Sequence, residues 1–230
     1  MSVVLATRDL QAGYRNQAVV HDLNIEVSSG EIVSILGANG AGKTTTLQTV
    51  AGDLKPISGE VELFGATTVA PLYQRVRQGV GYITDDRSLI FGLSTRDNLC
   101  LRGNLVKPAV KLFPELAPLL NRKVGLLSGG QQQMVSMARC IASKPRLIIA
   151  DELSMGLAPK IVDRLLQVLR KSADKGLAVL LVEQHIVKAL DYCNRGYVMR
   201  HGRIVMEGGR NELKANIKNI EDAYISNEDS

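Results

Sequence analysis

The sequence contains no tryptophan, and aromatic residues make up only 4% of it. Proteins that bind single-stranded nucleic acid stack bases on aromatic side chains and collect their cations in one groove. The 28 lysine and arginine residues of this chain are instead dispersed along its length, although the formal net charge is +5. This pattern favours a solvated surface of mixed charge, and we expect no nucleic-acid partner.

Cysteine and histidine are also scarce, with three residues of each. Neither residue type is spaced as a CxxC pair or as a cluster of metal ligands: Cys100, Cys140, Cys193, His21, His185 and His201. The sequence therefore argues against a disulfide framework and against a zinc site, and it is typical of a cytosolic protein with reduced thiols.

Long hydrophobic segments are missing as well. The longest apolar stretches, such as residues 147–150 and 178–182, are far shorter than the ~20 residues that a membrane-spanning helix needs. The N-terminus has no basic stretch followed by an apolar core, so no signal peptide is expected. The short apolar stretches are typical of buried strands.

The segments that are present alternate between strand-like and helix-like patterns. Strands are predicted at residues 3–6, 18–27, 31–36, 60–64, 80–84, 146–151 and 178–183, and helices at residues 42–52, 71–78, 128–143 and 159–175. This alternation predicts a mainly parallel sheet that binds ligands beyond the carboxyl ends of its strands. Residues 87–127 have a helical pattern, with Ser94 as a predicted N-cap and Pro108 and Pro114 as helix breakers.

A glycine-rich loop follows the strand at 31–36. Residues 37–44 read GANGAGKT and match the phosphate-binding P-loop, GxxxxGK[ST]. Glycines let backbone N–H groups turn towards phosphate oxygens, and the next helix points its positive end at the anion. Lys43 can neutralise the β- and γ-phosphates, and the Thr44 hydroxyl can bind Mg²⁺. The predicted ATP-binding residues here are Gly37, Ala38, Asn39, Gly40, Ala41, Gly42, Lys43, Thr44 and Thr45.

An apolar strand that ends in two acids follows later in the chain, where residues 147–152 read LIIADE. The strand would hold Asp151 close to the Mg²⁺ ion. Glu152 is the next residue and can accept a proton from the attacking water as a general base. The same pattern without a P-loop would be an ordinary strand that ends in surface acids.

A second possible anion site lies at the start of the helix at 128–143. It consists of Leu127, Ser128, Gly129, Gly130 and Gln131, which read LSGGQ. A hydroxyl, backbone amides and the helix dipole can together bind an anion. The local alternative is a helix cap followed by an amphipathic helix. Two chains packed head to tail would use the motif, because each LSGGQ would then close over the ATP of the other chain.

GANGAGKT, LSGGQQQM and LIIADE occur in the order typical of the ABC (ATP-binding cassette) ATPases, which the chain resembles over essentially its whole length. The resemblance implies an α/β fold with a P-loop NTPase (RecA-like) core, an antiparallel β subdomain and a small helical subdomain. It implies one ATP-binding domain over residues 1–230, with the helical subdomain inserted at about residues 87–127. It also implies hydrolysis of ATP with Mg²⁺.

The same resemblance assigns roles to individual residues. Tyr14 lies where the family stacks an aromatic side chain on adenine, and Asp85 where most members have a glutamine that senses Mg²⁺ and the membrane partner. His185 resembles the switch residue that holds the γ-phosphate, and a register one residue earlier would place Gln184 there. The implied catalytic residues are Glu152, His185 and Lys43, and the implied Mg²⁺ ligands are Thr44, Asp151 and Asp85.

Finer features resemble the ATP-binding subunits of branched-chain amino-acid importers: LFPEL, DELSMGLAP and the closing NELKANIKNIEDAYIS. Leu153 replaces the usual proline, Ala158 stands where aspartate is frequent, and TDDR also resembles sugar importers, so the substrate stays open. The expected partners are membrane permease subunits, a second ATPase subunit (identical or related) and an external solute-binding protein, at the cytoplasmic face of the cell membrane. The alternatives are a soluble ABC ATPase of iron–sulfur assembly and a nucleotide-binding subunit with weak hydrolysis.

Overall fold

The computed structural model describes residues 2–15, 17–183, 186–218 and 220. In chain order its strands and α-helices are β1 (Val3–Tyr14), β2 (Gln17–Leu23), β3 (Glu26–Ser28), β4 (Ile32–Leu36), α1 (Lys43–Ala51), β5 (Ser58–Leu63), β6 (Ala66–Thr67), α2 (Leu72–Gln78), β7 (Val80–Ile83), α3 (Thr95–Cys100), α4 (Val106–Leu112), α5 (Gly129–Ala142), β8 (Leu147–Asp151), α6 (Pro159–Ala173), β9 (Ala178–Val182), α7 (Ile186–Tyr192), β10 (Arg195–Arg200), β11 (Arg203–Gly209) and α8 (Arg210–Ala215). Short 3₁₀ helices cover Pro114–Leu119 and Val124–Leu126.

The central sheet of the described chain has the strand order β11-β10-β4-β9-β8-β7. The pairs from β10 to β7 are parallel, and β11 is antiparallel to β10. Strands β4, β8 and β9 are buried along their whole length, as expected for parallel strands that are covered on both faces. The carboxyl ends of β4, β9, β8 and β7 therefore lie side by side at one edge of the sheet.

A second, antiparallel sheet has the order β2-β1-β5-β6, with β3 also paired to β1. The prediction of one strand over residues 18–27 is wrong, because the chain breaks between β2 and β3. Asp22 has a φ of 48°, and the Ile25 N–H donates to the Thr7 hydroxyl at 3.0 Å. The left-handed backbone at Asp22 and the tertiary bond to Thr7 turn the chain before it pairs again with β1.

Residues 87–127 contain short helices, as predicted. Ser94 is the N-cap of α3, and its hydroxyl accepts a hydrogen bond from the Asp97 N–H at 3.1 Å. Pro114 begins a 3₁₀ helix just after α4 and so separates the two. Pro108 does not break a helix, because it lies in the first turn of α4, where the missing N–H has no helical acceptor to lose.

The architecture confirms the predicted α/β fold class, with a mainly parallel core, an antiparallel β part and a small helical part. Among the helices of the described ranges, none combines the length and the apolar character that crossing a membrane requires.

One buried cation fixes the end of the helix that follows the P-loop. Arg75 of α2 is 1% exposed and donates to the carbonyls of Thr49 and Val50 at 3.1 and 2.7 Å, at the C-terminal end of α1. It also donates to the Ala70 carbonyl at 2.7 Å. The last turn of a helix leaves carbonyls without helical partners, and Arg75 supplies a donor to the Val50 carbonyl there.

We expect Arg75→Met to lower the free energy of unfolding by about 2–4 kcal/mol, because it removes the hydrogen bonds of a buried guanidinium and leaves the buried Val50 carbonyl without this donor. Urea unfolding measures the change. Arg77→Met removes an exposed arginine from the same helix and is the matched control, with an expected change below about 0.5 kcal/mol. Equal midpoints for the two variants would contradict the role of Arg75.

Candidate nucleotide-binding site

The predicted nucleotide residues lie in loops that leave neighbouring strands at the same edge of the central sheet. The P-loop follows β4, Asp151 ends β8, and Asp85 follows β7. Strand β9 lies between β4 and β8 in the sheet. The parallel register thus brings together segments that are far apart in the sequence, where sheets of this type bind their ligands.

The P-loop is held against the hairpin formed by β10 and β11. A side chain at Gly37 would approach the Met199 carbonyl oxygen to 2.5 Å, so only glycine fits there. Gly42 has a φ of 101° and caps the N-terminus of α1. The Gly202 N–H, between β10 and β11, donates to the Ala41 carbonyl at 3.0 Å and so attaches the loop to the hairpin. The loop was predictable from its glycine pattern, whereas this support from the β10–β11 hairpin was not.

Lys43 is the first residue of α1, and its ammonium lies inside the loop. It is 5% exposed and donates to the carbonyls of Gly37 and Ala38 at 2.8 and 2.9 Å. Burial lowers the pKa of Lys43, while the negative charges of Glu152 and Asp151 act in the opposite direction. The loop therefore holds a cation at the position where the sequence predicted phosphate.

Asp151 and Thr44 form the part of the site that suits Mg²⁺. Asp151 is 5% exposed, and its Oδ1 atom is buried without a hydrogen-bond partner among the described residues. Burial raises the pKa of Asp151, and a hydrogen bond from the Thr44 hydroxyl opposes the rise. A free carboxylate oxygen beside an exposed hydroxyl fits the hard oxygen donors that Mg²⁺ prefers, with phosphate oxygens and waters completing the shell.

Among the described residues, acidic side chains are not grouped so that they could surround a metal ion without other ligands. Within the described ranges, no group of three or more His, Cys, Asp and Glu side chains is arranged to hold a metal. This agrees with the usual behaviour of Mg²⁺ at phosphate sites, where protein carboxylates supply only one or two ligands.

Glu152 is half-buried and directly follows β8. Its φ of 44° lies in the left-handed region, which costs a non-glycine residue about 1–2 kcal/mol. Its N–H donates to the Val182 carbonyl of the neighbouring strand end at 3.0 Å. Such backbone strain persists only where the surroundings enforce it, and it is frequent at functional sites.

The loop after β7 carries Asp85, which is exposed and accepts the Asp86 N–H at 2.8 Å. The charge of Asp85 also raises the pKa of Asp151, which agrees with a position near the strand ends. Arg87 attaches this loop to α5, because its guanidinium donates to Gln133 at 2.9 Å and to Gln132 at 3.3 Å. This contact of Arg87 was not predictable from the TDDR run, since nothing in that run indicates the acceptors on α5.

The LSGGQ segment forms the N-terminus of α5 with a reciprocal capping box. The Ser128 hydroxyl accepts the Gln131 N–H at 3.3 Å, and the Gln131 side chain accepts the Ser128 N–H at 3.0 Å. Gly130 allows Ile161 to approach, with a built Cβ only 3.0 Å from the Ile161 Cγ2 atom. The predicted helix cap is thus present, and no hydrogen bond of the described residues joins the segment to the P-loop.

Of the remaining predicted nucleotide contacts, the structure describes Tyr14 but not His185 or its alternative, Gln184. Tyr14 ends β1, is 48% exposed, and donates its hydroxyl to Gln48 of α1 at 2.7 Å. This places the ring beside the helix that begins at the P-loop, and its stacking on adenine stays a prediction. His185 and the alternative Gln184 lie outside the described residues.

A buried carboxylate that the sequence analysis did not assign also lies at this edge. Glu183 follows β9, is 1% exposed, and accepts the Ser154 hydroxyl at 2.5 Å. Burial raises the pKa of Glu183 to about 7, while hydrogen bonds from Ser154 act in the opposite direction. The available signal was an acid at the end of an apolar strand, which is the pattern that drew attention to Asp151.

The fold and this arrangement define a P-loop nucleotide-binding protein. A glycine loop holds a buried lysine between the parallel strand β4 and a helix, and a buried acid ends β8, two strands away in the same sheet.

The comparisons with known proteins agree. The family model described as ABC transporter matches residues 20–154. The branched-chain amino acid transport ATP-binding protein BraG of Pseudomonas aeruginosa is 35% identical over 92% of this chain and 95% of its own length. The lipopolysaccharide export ATP-binding protein LptB of Acidithiobacillus ferridurans is 32% identical over 93% of each chain. A dimeric post-hydrolysis structure of the ATP-binding cassette MJ0796 with ADP and Pi has a TM-score of 0.81 and 25% identity, over 90% of this chain and 98% of that one.

This chain therefore belongs to the ABC transporter family and is an ATPase subunit of a transporter. The predicted family and enzyme class are confirmed.

Proposed function

We propose that the chain uses ATP hydrolysis to power uptake of a small solute, a branched-chain or related amino acid, through separate permease chains. The observation that carries the ATPase part is that the P-loop, Asp151 and Glu152 lie at the ends of β4 and β8, at the same edge of the central sheet. The similarity to BraG, at 35% identity over nearly the whole of both chains, supports the amino-acid substrate.

In the proposed reaction the P-loop amides and Lys43 hold the β- and γ-phosphates. The Glu152 carboxylate accepts a proton from a water whose oxygen bonds to the γ-phosphorus. The bond from that phosphorus to the β–γ bridging oxygen breaks, so ADP and phosphate are the products. Thr44 and Asp151 would hold Mg²⁺, which when bound neutralises charge on the phosphates.

A second copy of the fold, identical or related, completes the proposed site. LSGGQ of each chain would bind the ATP of the other through the Ser128 hydroxyl and the N-terminal amides of α5. The dimeric MJ0796 structure supports pairing of such cassettes. ATP would then stabilise the closed pair in preference to the open one, and this difference in stability is what lets ATP drive a conformational change.

A groove of about 600 Å³ offers the proposed contact with a permease. It lies between α2 and the strand end of β7 on one side and α5 on the other, with Tyr73, Tyr82, Arg102 and Arg139 among its lining residues. Arg87 links the neighbouring loop to α5. A segment bound in this groove would contact both the sheet edge and the helical part.

Detergent extraction of the tagged full-length chain, followed by mass spectrometry of its companions, tests the proposal. We expect permease chains and a solute-binding protein. The similarity to LptB favours lipopolysaccharide export as the second candidate, which the recovery of export components in place of a solute-binding protein would support. Recovery without any membrane protein would contradict both and favour a soluble ABC ATPase.

A pair of variants makes this experiment specific to the groove. Tyr73 is 58% exposed in the groove, and Tyr73→Asp should lose the membrane companions. Val205 of β11 is 55% exposed and is not among the groove residues, so Val205→Asp should retain them. Retention by both variants would show that the permease binds elsewhere.

A further inference from the structure

Glu183 is the buried acid at this edge that the proposed reaction does not use. It is 1% exposed, and an isolated carboxylate is costly to bury. Its Oε2 atom accepts the Ser154 hydroxyl at 2.5 Å. The Oε1 atom has no hydrogen-bond partner among the described residues. Among the described residues, the hydrogen-bond partner of this acid is therefore Ser154, which lies in another loop.

Ser154 lies two positions after Glu152, in the turn that leaves β8. It is 5% exposed, so its bond to Glu183 is shielded from water. The turn is closed by the Met155 N–H, which donates to the Glu152 carbonyl at 3.2 Å, and by the Leu157 N–H, which donates to the Ser154 carbonyl at 3.1 Å. A shift of Ser154 would thus change the backbone that carries Glu152.

The end of β9 therefore holds this segment at two successive points. The Val182 carbonyl accepts the Glu152 N–H at 3.0 Å, and the next residue, Glu183, binds Ser154. Glu152 carries the first of these attachments, and Ser154 carries the second. The backbone of Glu152 is in the left-handed region, at a φ of 44°. A non-glycine residue stays in that region only when its neighbours enforce the conformation.

We infer that Glu183 is a positioning residue for Glu152, acting through its hydrogen bond to Ser154. The inference rests on the proposed role of Glu152 as general base. Glu183 sets the direction of the Glu152 side chain and does not itself take a proton from the attacking water. A displacement of about 1 Å in a catalytic group can cost a factor of 10² in rate.

The substitutions at Glu183 separate positioning from proton transfer. The amide oxygen of Glu183→Gln can accept the Ser154 hydroxyl in the same volume but is not a base. We expect its kcat to stay within about 3-fold of wild type. Glu183→Ala removes the acceptor, and kcat should fall at least ~10-fold with a KM for ATP within ~2-fold. Glu207→Ala, at an exposed position of β11, is the control and should match wild type.

Substitution of the donor gives a second, milder test. Ser154→Ala retains the backbone N–H and should lower kcat by ~3- to 10-fold at unchanged KM. The double variant Ser154→Ala/Glu183→Ala should be no slower than Glu183→Ala, because residues acting through one bond are not additive. If Glu183→Ala does not fold, the positioning role is tested by Ser154→Ala alone. A wild-type kcat for Ser154→Ala then overturns the inference.

The measurement is steady-state ATP turnover of the full-length chain as purified with its companions, with a thermal midpoint recorded for every variant. A wild-type kcat for Glu183→Ala, or an equal loss for Glu183→Gln and Glu183→Ala, overturns the positioning role. Glu152→Gln is assayed in parallel. If it is inactive while Glu183→Ala is fully active, only this inference fails; if Glu152→Gln turns over normally, the proposed reaction fails as well.

Discussion

Glu152→Gln is expected to lower ATP turnover by about 10²- to 10⁴-fold while ATP binding is retained, because an amide cannot accept the proton of the attacking water. The substitution leaves the backbone bonds of this position in place, since the Glu152 N–H still reaches the Val182 carbonyl at 3.0 Å. The loss should therefore appear in kcat and in single-turnover phosphate release, with the Kd for ATP nearly unchanged.

The matched control for this variant is Glu60→Gln, which makes the same chemical change at an exposed residue of β5. It should have wild-type turnover. Because ATP would stay bound without being hydrolysed, Glu152→Gln should also increase the fraction of paired chains when ATP is added. If wild type and Glu152→Gln share the same low rate, the chain is a nucleotide-binding subunit with weak hydrolysis.

Lys43→Ala should weaken ATP binding by about 10- to 100-fold, because it removes charged hydrogen bonds to the phosphates worth roughly 1.5–3 kcal/mol. The ammonium is 5% exposed and is already oriented by the carbonyls of Gly37 and Ala38 at 2.8 and 2.9 Å. The Lys43 side chain therefore needs little further ordering when phosphate binds, so most of its interaction free energy contributes to the affinity for ATP. Equilibrium titration with a fluorescent ATP analogue measures the change.

Lys55→Ala removes the same charge from an exposed residue and serves as the control, with an expected Kd close to wild type. Thermal midpoints show whether the loop variant remains folded, since Lys43 also stabilises the loop itself. An unchanged affinity of folded Lys43→Ala would remove the assignment of residues 37–44 as a phosphate site.

The local elements of the site were predictable because each depends on neighbouring residues. The P-loop lies between β4 and α1 as expected, and Ser128 caps α5 with Gln131 in the reciprocal way that LSGGQ allows. The predicted strands at 31–36 and 146–151 correspond to β4 and β8 with small shifts at their ends. Hydrophobic runs and capping residues carry this information within a few positions of the chain.

Errors arose where tertiary contacts override the local pattern. The predicted strand at 18–27 divides because Thr7 of β1 offers Ile25 a side-chain acceptor at 3.0 Å. Pro108 was expected to end a helix, but the chain enters α4 two residues before it, in the turn that tolerates proline. Neither outcome can be derived from the segment alone, since each depends on where the chain begins or bends.

By itself, the sequence determined the local pattern of each loop: a glycine-rich loop with Lys43, a strand that ends in Asp151 and Glu152, and a capped helix at LSGGQ. The tertiary structure decided which of these loops meet. The strand order β4-β9-β8-β7 brings Glu183 to Ser154, 29 positions away. The β10–β11 hairpin brings the Gly202 N–H to the Ala41 carbonyl. The physical reason is that the order and register of parallel strands depend on packing between segments that are distant in the sequence. A motif, in contrast, consists of consecutive residues.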